Sequence, residues 1–217
     1  MSETIEINFG HPMPVFPLPG CVLLPHAALE LHIFEPRYRK MVGDALDSYG
    51  LIAMGLFKGR VTQEEYERGR PALRSHVCVG YVEQYRAVED GRYFLRLRGL
   101  CRAKVVSEEP HEPYRLFHLQ PTDLSQDEEA GLMNHRERLE ELLCDPVMKK
   151  VDGVRELGSW LDKPIPTTAL IDIVAMQVCD DPEQRYPMLA EHDVGRRGAA
   201  LNAHLEGMRK QIASVDP

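Results

Sequence analysis

Residues 14–42 read Pro14-Val15-Phe16-Pro17-Leu18-Pro19-Gly20-Cys21-Val22-Leu23-Leu24-Pro25 and, after a short spacer, Leu29-Glu30-Leu31-His32-Ile33-Phe34-Glu35-Pro36-Arg37-Tyr38-Arg39-Lys40-Met41-Val42. Two short apolar runs, punctuated by prolines, lead into a helix start. In the second run Leu29, Leu31 and Ile33 alternate with Glu30, His32 and Phe34, the period of a strand with one face buried. Pro36 falls in the first turn of the helix, where its missing N–H has no intrahelical acceptor. Tyr38, Met41, Val42, Ala45, Leu46 and Tyr49 then recur at helical spacing, with Gly50 beyond the end. Glu35 places an anion at the positive end of the helix dipole, with Arg37 or Arg102 as its expected ion-pair partner.

Outward from this stretch the first 120 residues read as strand. Residues 51–57 are a continuous apolar run bounded by glycines. Residues 76–88 carry Val77, Val79, Tyr81 and Tyr85 at even spacing, and Glu89-Asp90-Gly91 makes a turn. Residues 92–98 return with Tyr93, Leu95 and Leu97 on one face. Gly99 marks a bulge or corner, residues 100–106 follow, and 114–119 is the last strand. After Gln120-Pro121 the period changes. Ser125-Gln126-Asp127-Glu128 is a capping box for a helix over about 126–144, which Asp145-Pro146 stops. Val147, Val151, Val154, Leu157 and Leu161 suggest a second helix, and a third starts near Pro166-Thr167. Asp181-Pro182 opens a fourth that Pro187 is expected to break, and Asp193 caps a fifth carrying Val194, Arg197, Leu201 and Leu205 on one face. Strands first and helices second predict an α+β fold with two subdomains, 1–120 and 121–217.

The pattern at 14–42, above all Ile33-Phe34-Glu35-Pro36-Arg37-Tyr38, resembles the opening of the N-terminal substrate-binding domain of the Lon protease family. Val79-Gly80, Gly99-x-x-Arg102 and a looser tail ending in Arg197 and Leu201 extend the resemblance over roughly 13–205, with Pro187 departing from it. It implies a PUA-like, mostly antiparallel β-barrel with one inserted helix, followed by an α-helical bundle. It also implies a non-catalytic module that binds unfolded polypeptide or a partner protein in a cleft between barrel and bundle, as a stand-alone member lacking ATPase and peptidase. Phe34, Glu35, Arg37, Tyr38, Gly80, Gly99 and Arg102 are its signature positions, expected to be largely structural. The polar loop 58–75, with Tyr66 and Leu73 as apolar anchors, corresponds to a region beside the family's candidate recognition surface.

Composition bounds the alternatives. The 217 residues are 43% apolar and 28% charged, as in soluble globular proteins, and no long apolar run predicts a membrane span. Five cysteines without a CxxC pair are expected as buried free thiols in a reducing cytoplasm. No Gly-Lys dipeptide exists to form a phosphate loop, and no HExxH is present, so neither a cofactor nor a metal is expected. Glu191-His192-Asp193 reads as a solvated helix junction, and Cys21 as a small buried hydrophobe. The rival to polypeptide binding is RNA binding. Arg86, Arg92, Arg96, Arg98, Arg102 and Lys104 cluster in neighbouring strands against only Glu89 and Asp90, with Arg92, Phe94, Arg96 and Arg98 on one face. Against that rival, the net charge is −8, and the whole acidic excess lies after residue 120.

Overall fold

The structure, a computed structural model, describes residues 5–122, 129–161 and 163–215. Strands β1 (Met13–Pro17), β2 (Ala28–Ile33), β3 (Leu51–Gly55), β4 (His76–Ala87), β5 (Tyr93–Glu109) and β6 (Arg115–Pro121) form one sheet in the order β2-β5-β4-β3-β1-β6. A further pairing of β6 with β5 closes a ring of strands β5-β4-β3-β1-β6, while β2 pairs with β5 alone. The β1–β3 pair is parallel and the other pairs are antiparallel. Ring closure depends on the length of β5. Its first part pairs with β2 and β4, and its last part pairs with β6.

Each register shift leaves one residue unpaired, and the extra residue bends its strand. The shifts leave out Glu83 on β4 and Leu100 and Val106 on β5. Gly99 is therefore a bulge position inside one continuous strand rather than a corner between two. Its cross-strand partner is Gly80. A Cβ on Gly80 would lie 2.8 Å from Cγ of Leu97, so this spot admits only glycine unless Leu97 moves. The β4–β5 turn closes through the Val88 amide donating to Arg92 O at 2.9 Å, with Gly91 at φ +80°, a backbone state that favours glycine. Met13, Val15, Leu51, Ala53, Val77, Val79, Ala103, Phe117 and Leu119 fill the core between the strands.

Helix α1 (Pro36–Leu46) buries Tyr38, Met41, Val42 and Ala45 against β1 and β3. Tyr49, expected on that face, lies past the helix end and is 76% exposed. The chain has already turned, with the Gly50 amide reaching back to Ala45 O at 2.8 Å. Helix α2 (Gln63–Arg68) replaces part of the expected loop 58–75. A reciprocal capping box starts it: the Glu65 amide donates to Thr62 Oγ1, and the Thr62 amide donates to the Glu65 carboxylate.

The chain separates into two compact units, Met1–Leu23 with Ala28–Asp123 and Leu24–Ala27 with Leu124–Pro217. The second contains α3 (Glu129–Cys144), a 3₁₀ turn (Met148–Lys150), α4 (Val154–Leu161), α5 (Thr167–Val178), α6 (Pro182–Ala190) and α7 (Val194–Val215). The expected Ser125–Glu128 capping box lies outside the described residues. The expected second helix is split, because Gly153 at φ +84° separates the 3₁₀ turn from α4. Pro187 does not break α6. The Asp181 side chain caps the helix through the Glu183 amide at 2.8 Å, and Met188 and Leu189 are buried beyond the proline. Packing and the cap offset the one ladder bond that Pro187 removes. Cys78 and Cys179 are buried, whereas Cys21 and Cys101 are partly exposed and Cys144, at the end of α3, is exposed.

Helix α5 is apolar on nearly every side and forms the centre of this unit. It also carries Asp172, fully buried, whose carboxylate lies 3.6 Å from Nε of Arg197 on α7. Arg197 is itself 1% exposed and donates to Glu191 O at 2.8 Å. Charges removed from water this completely persist only when paired and hydrogen-bonded. Arg197→Ala should therefore cost about 3–5 kcal/mol, by taking the opposite charge away from a buried carboxylate. Joint replacement by Asp172→Leu and Arg197→Met should cost clearly less than the two single changes summed. Urea unfolding of the three variants measures this, and additive losses would mean that the two groups do not act as a pair.

Candidate functional site

The Glu35 side chain does not cap α1, although Glu35 is the N-cap residue. Its oxygens have stronger partners. Oε2 accepts from Arg37 Nε at 3.1 Å and Nη2 at 2.9 Å, and Oε1 accepts from the Tyr66 hydroxyl at 2.7 Å. Arg37, not Arg102, is thus its ion partner, while Arg102 is 1% exposed within β5. The guanidinium carries a full charge and meets Oε2 with two nitrogens, whereas a cap bond would go to a single uncharged amide. Arg37 completes its fork by donating to Tyr66 O at 2.9 Å. Its guanidinium lies 4.6 Å from the centre of the Tyr38 ring and 4.7 Å from that of Tyr66, so the cation sits between two π faces.

Tyr38 and Tyr66 are anchored from behind. The Tyr38 ring lies 4.4 Å from Phe16 on β1, and Phe57 meets Tyr66 edge-on at 6.0 Å. Burial pushes the Tyr38 and Tyr66 phenols above the ordinary tyrosine value, and for Tyr66 donation to Glu35 adds to it. Both phenols therefore stay neutral at ordinary pH, so Tyr66 keeps the proton that it donates to Glu35. The cluster ties the start of α1 to α2 across 31 residues of chain.

Two cavities flank this cluster, and Tyr38 and Tyr66 line both. The smaller, about 240 Å³, is rich in charge, with Arg37, Arg68, Arg70 and Arg115 in its wall. Its cations are largely engaged: Arg70 bonds Glu108 and Glu112, and Arg115 grips Glu108 with two nitrogens. The larger, about 440 Å³, is walled by Phe16, Leu18, Leu31, Ile33, Phe34 and Val61, with Glu30, His32, Thr62 and Gln63 among its polar residues. Phe34, a signature position, is 59% exposed at this cavity. An apolar concavity with a few polar groups is the usual form of a ligand site. Among the described residues it is the better candidate of the two.

The other sequence-derived positions fall elsewhere. Gly80 and Gly99 form the cross-strand pair described above. Leu73 packs on the core and bridges to Phe57, so of the two expected loop anchors Tyr66, and not Leu73, lines these two cavities. Phe94, Arg96 and Arg98 do share a face of β5, but that face is not a bare cationic patch. Arg96 donates to Glu30 at 3.0 Å and to Glu83 at 2.9 Å, and Arg98 lies 3.3 Å from Glu83. Arg92 is held by Asp90 at 2.6 Å. Phe94 stacks on His32 at 4.4 Å and carries Arg86 on its ring at 4.8 Å. The expected opposition from Glu89 and Asp90 alone overlooked Glu30 and Glu83, which strand pairing brings alongside. At the 191–193 junction, Glu191 accepts the Asp193 amide and Asp193 caps α7 through the Arg196 amide. Leu18, Val61 and α2 join the site without having been expected there. The motif Thr62-x-x-Glu65 was a legible signal for α2, while the meeting of Tyr66 with Glu35 had none.

The family model for the ATP-dependent protease La (LON) substrate-binding domain matches residues 12–207. Among solved structures, a Lon N-terminal domain protein from Xanthomonas campestris is similar, with 25% identity and a TM-score of 0.59, covering 88% of this chain and 97% of that one. The N-terminal domain of Lon protease from the Mycobacterium avium complex shares the fold at 17% identity and a TM-score of 0.64, covering 90% of this chain and 98% of that one. No curated protein matches the sequence. The match to residues 12–207 takes in the Glu35–Tyr38 corner, the paired glycines of β4 and β5 and Arg197 of α7, and on it the chain belongs to the LON substrate-binding domain family.

Proposed function

We propose that this chain is a non-catalytic module that binds exposed apolar polypeptide, with the cavity beside Phe34 as its site. The observation that carries the reading is that apolar wall of about 440 Å³, open at Phe34 and backed by the locked Glu35–Arg37–Tyr38–Tyr66 cluster. Family membership supports the substrate class. The neutralised arginines of β5 make RNA the weaker ligand, since phosphate binding needs free clustered cations. Among the described residues no helix is long and apolar enough to cross a membrane, and the free cysteines fit a reducing cytoplasm.

Unfolded, carboxymethylated protein should bind the full chain with little dependence on salt. Phe34→Ser should weaken that binding by about tenfold, the loss of one buried apolar side chain at an interface, without moving the melting temperature. Fluorescence anisotropy with thermal melts checks both. Binding that falls steeply with salt and ignores Phe34 would favour the arginine face and RNA. ATP hydrolysis or peptide cleavage that survives repurification, and is lost on a point change in this chain, would end the non-catalytic reading.

The backing wall should act on stability before it acts on binding. Tyr38→Ala removes a buried ring and should cost about 3–5 kcal/mol in urea unfolding. The pH dependence has a definite sign. Burial, then a bond to Asp44, raises the Tyr114 phenol to about 12, and burial, then Glu35, raises Tyr66 as well. A raised folded-state value stabilises the fold below the ordinary tyrosine pKa of about 10, and the contribution is lost as pH rises beyond it. Stability should therefore be flat through neutral pH and decline above about 10. Ultraviolet titration should find Tyr66 and Tyr114 ionising only above the ordinary tyrosine range; normal titration of Tyr66 would contradict the Glu35 cluster, and normal titration of Tyr114 its bond to Asp44.

A further inference from the structure

Strand β2 ends the sheet. It pairs with β5 from Ala28 to Ile33, and among the described residues nothing pairs with its other side. Backbone donors and acceptors point alternately to the two sides of a strand, so part of those in β2 face away from β5. Proteins usually blunt such an edge with proline, charged side chains or a bulge, and here the one charge, Glu30, pairs with Arg96. Residues 28–33 contain neither proline nor lysine, and their register with β5 has no shift. Leu29 and Leu31 alternate with exposed Glu30 and His32, yet both remain only half-buried. The apolar cavity abuts this edge directly, because residues 30–35 line it without interruption.

We propose that the polypeptide docks by adding a strand to the open edge of β2 while its side chains enter the adjoining cavity. This rests on the polypeptide-binding reading above and specifies its mode. Main-chain bonds along an edge give affinity without demanding a sequence, and alternate side chains supply selection. The residues lining the cavity include no lysine or arginine, and its two carboxylates, Glu30 and Glu35, already pair with Arg96 and Arg37. The open edge and the apolar wall together fit an extended segment that is apolar at alternate positions.

The test uses the full chain and a labelled octapeptide that alternates Leu or Val with Ser or Thr between terminal lysines. Two further versions carry backbone N-methyl groups, one on the residues whose amides face one edge and the other on those facing the opposite edge. Strand addition predicts that one version binds about tenfold or more weakly, from the loss of a few main-chain bonds, and that the other binds as well as the parent. Equal affinity of both methylated versions, or binding of unfolded protein without binding of any octapeptide, overturns strand addition and leaves the polypeptide-binding reading in place. Failure of unfolded protein and octapeptides alike overturns both. Peptide binding that disappears as the chain dimerises with concentration assigns the edge to a second copy and likewise overturns the proposal.

Discussion

The Glu35 carboxylate is the contact on which the first unit's functional surface depends. One oxygen holds Arg37 and the other holds Tyr66, so a single side chain joins the start of α1 to a helix 31 residues away. An ion pair that keeps some contact with water is worth little by itself. Here the arginine is also fixed between two rings and bonded to a backbone carbonyl, so each partner is held by more than charge. α1 forgoes a side-chain cap in exchange. The result is a stiff wall with a cavity on either side, and the cavities differ in character: arginines on one side, apolar side chains on the other.

The sheet supplies the second constraint. The long β5 serves three neighbours, and its bulges at Leu100 and Val106 let it pass from β2 and β4 to β6. Closing the ring removes the edges of its strands, which leaves β2 with the open one. The helical unit solves a different problem. Its central helix α5 is apolar around almost its whole circumference, and the one charge that it buries, Asp172, is met by Arg197. A buried pair of this kind is weak evidence for net stability but disfavours any packing that separates its members.

What the sequence made legible was local. Alternation in Leu29–Glu30–Leu31–His32–Ile33 identified β2 and its inward face, and the proline, glycine and Asp193 signals marked helix ends. Periodicity overran at Tyr49, since spacing alone does not see the chain turning away at Gly50. Pro187 was overestimated because the burial of Met188 and Leu189 is a tertiary effect. The arginine face looked bare because Glu30 and Glu83 are distant in sequence and reach Arg96 only through strand pairing. The candidate site was half visible. Phe34 to Tyr38 stood out as a motif, but Tyr66, Val61 and Leu18 join it through contacts that no spacing encodes.

The central claim is that polypeptide is bound at the apolar cavity beside Phe34 and not at the arginine face. Amide and methyl resonances of the full chain, followed during titration with an unfolded protein, test it most directly. The account predicts shifts confined to the neighbourhood of Phe16, Leu18, Leu31, Phe34 and Val61, with Arg86 and the turn at Asp90 to Arg92 unmoved. Shifts centred on that turn and Arg86, with Leu18 and Val61 silent, would contradict it.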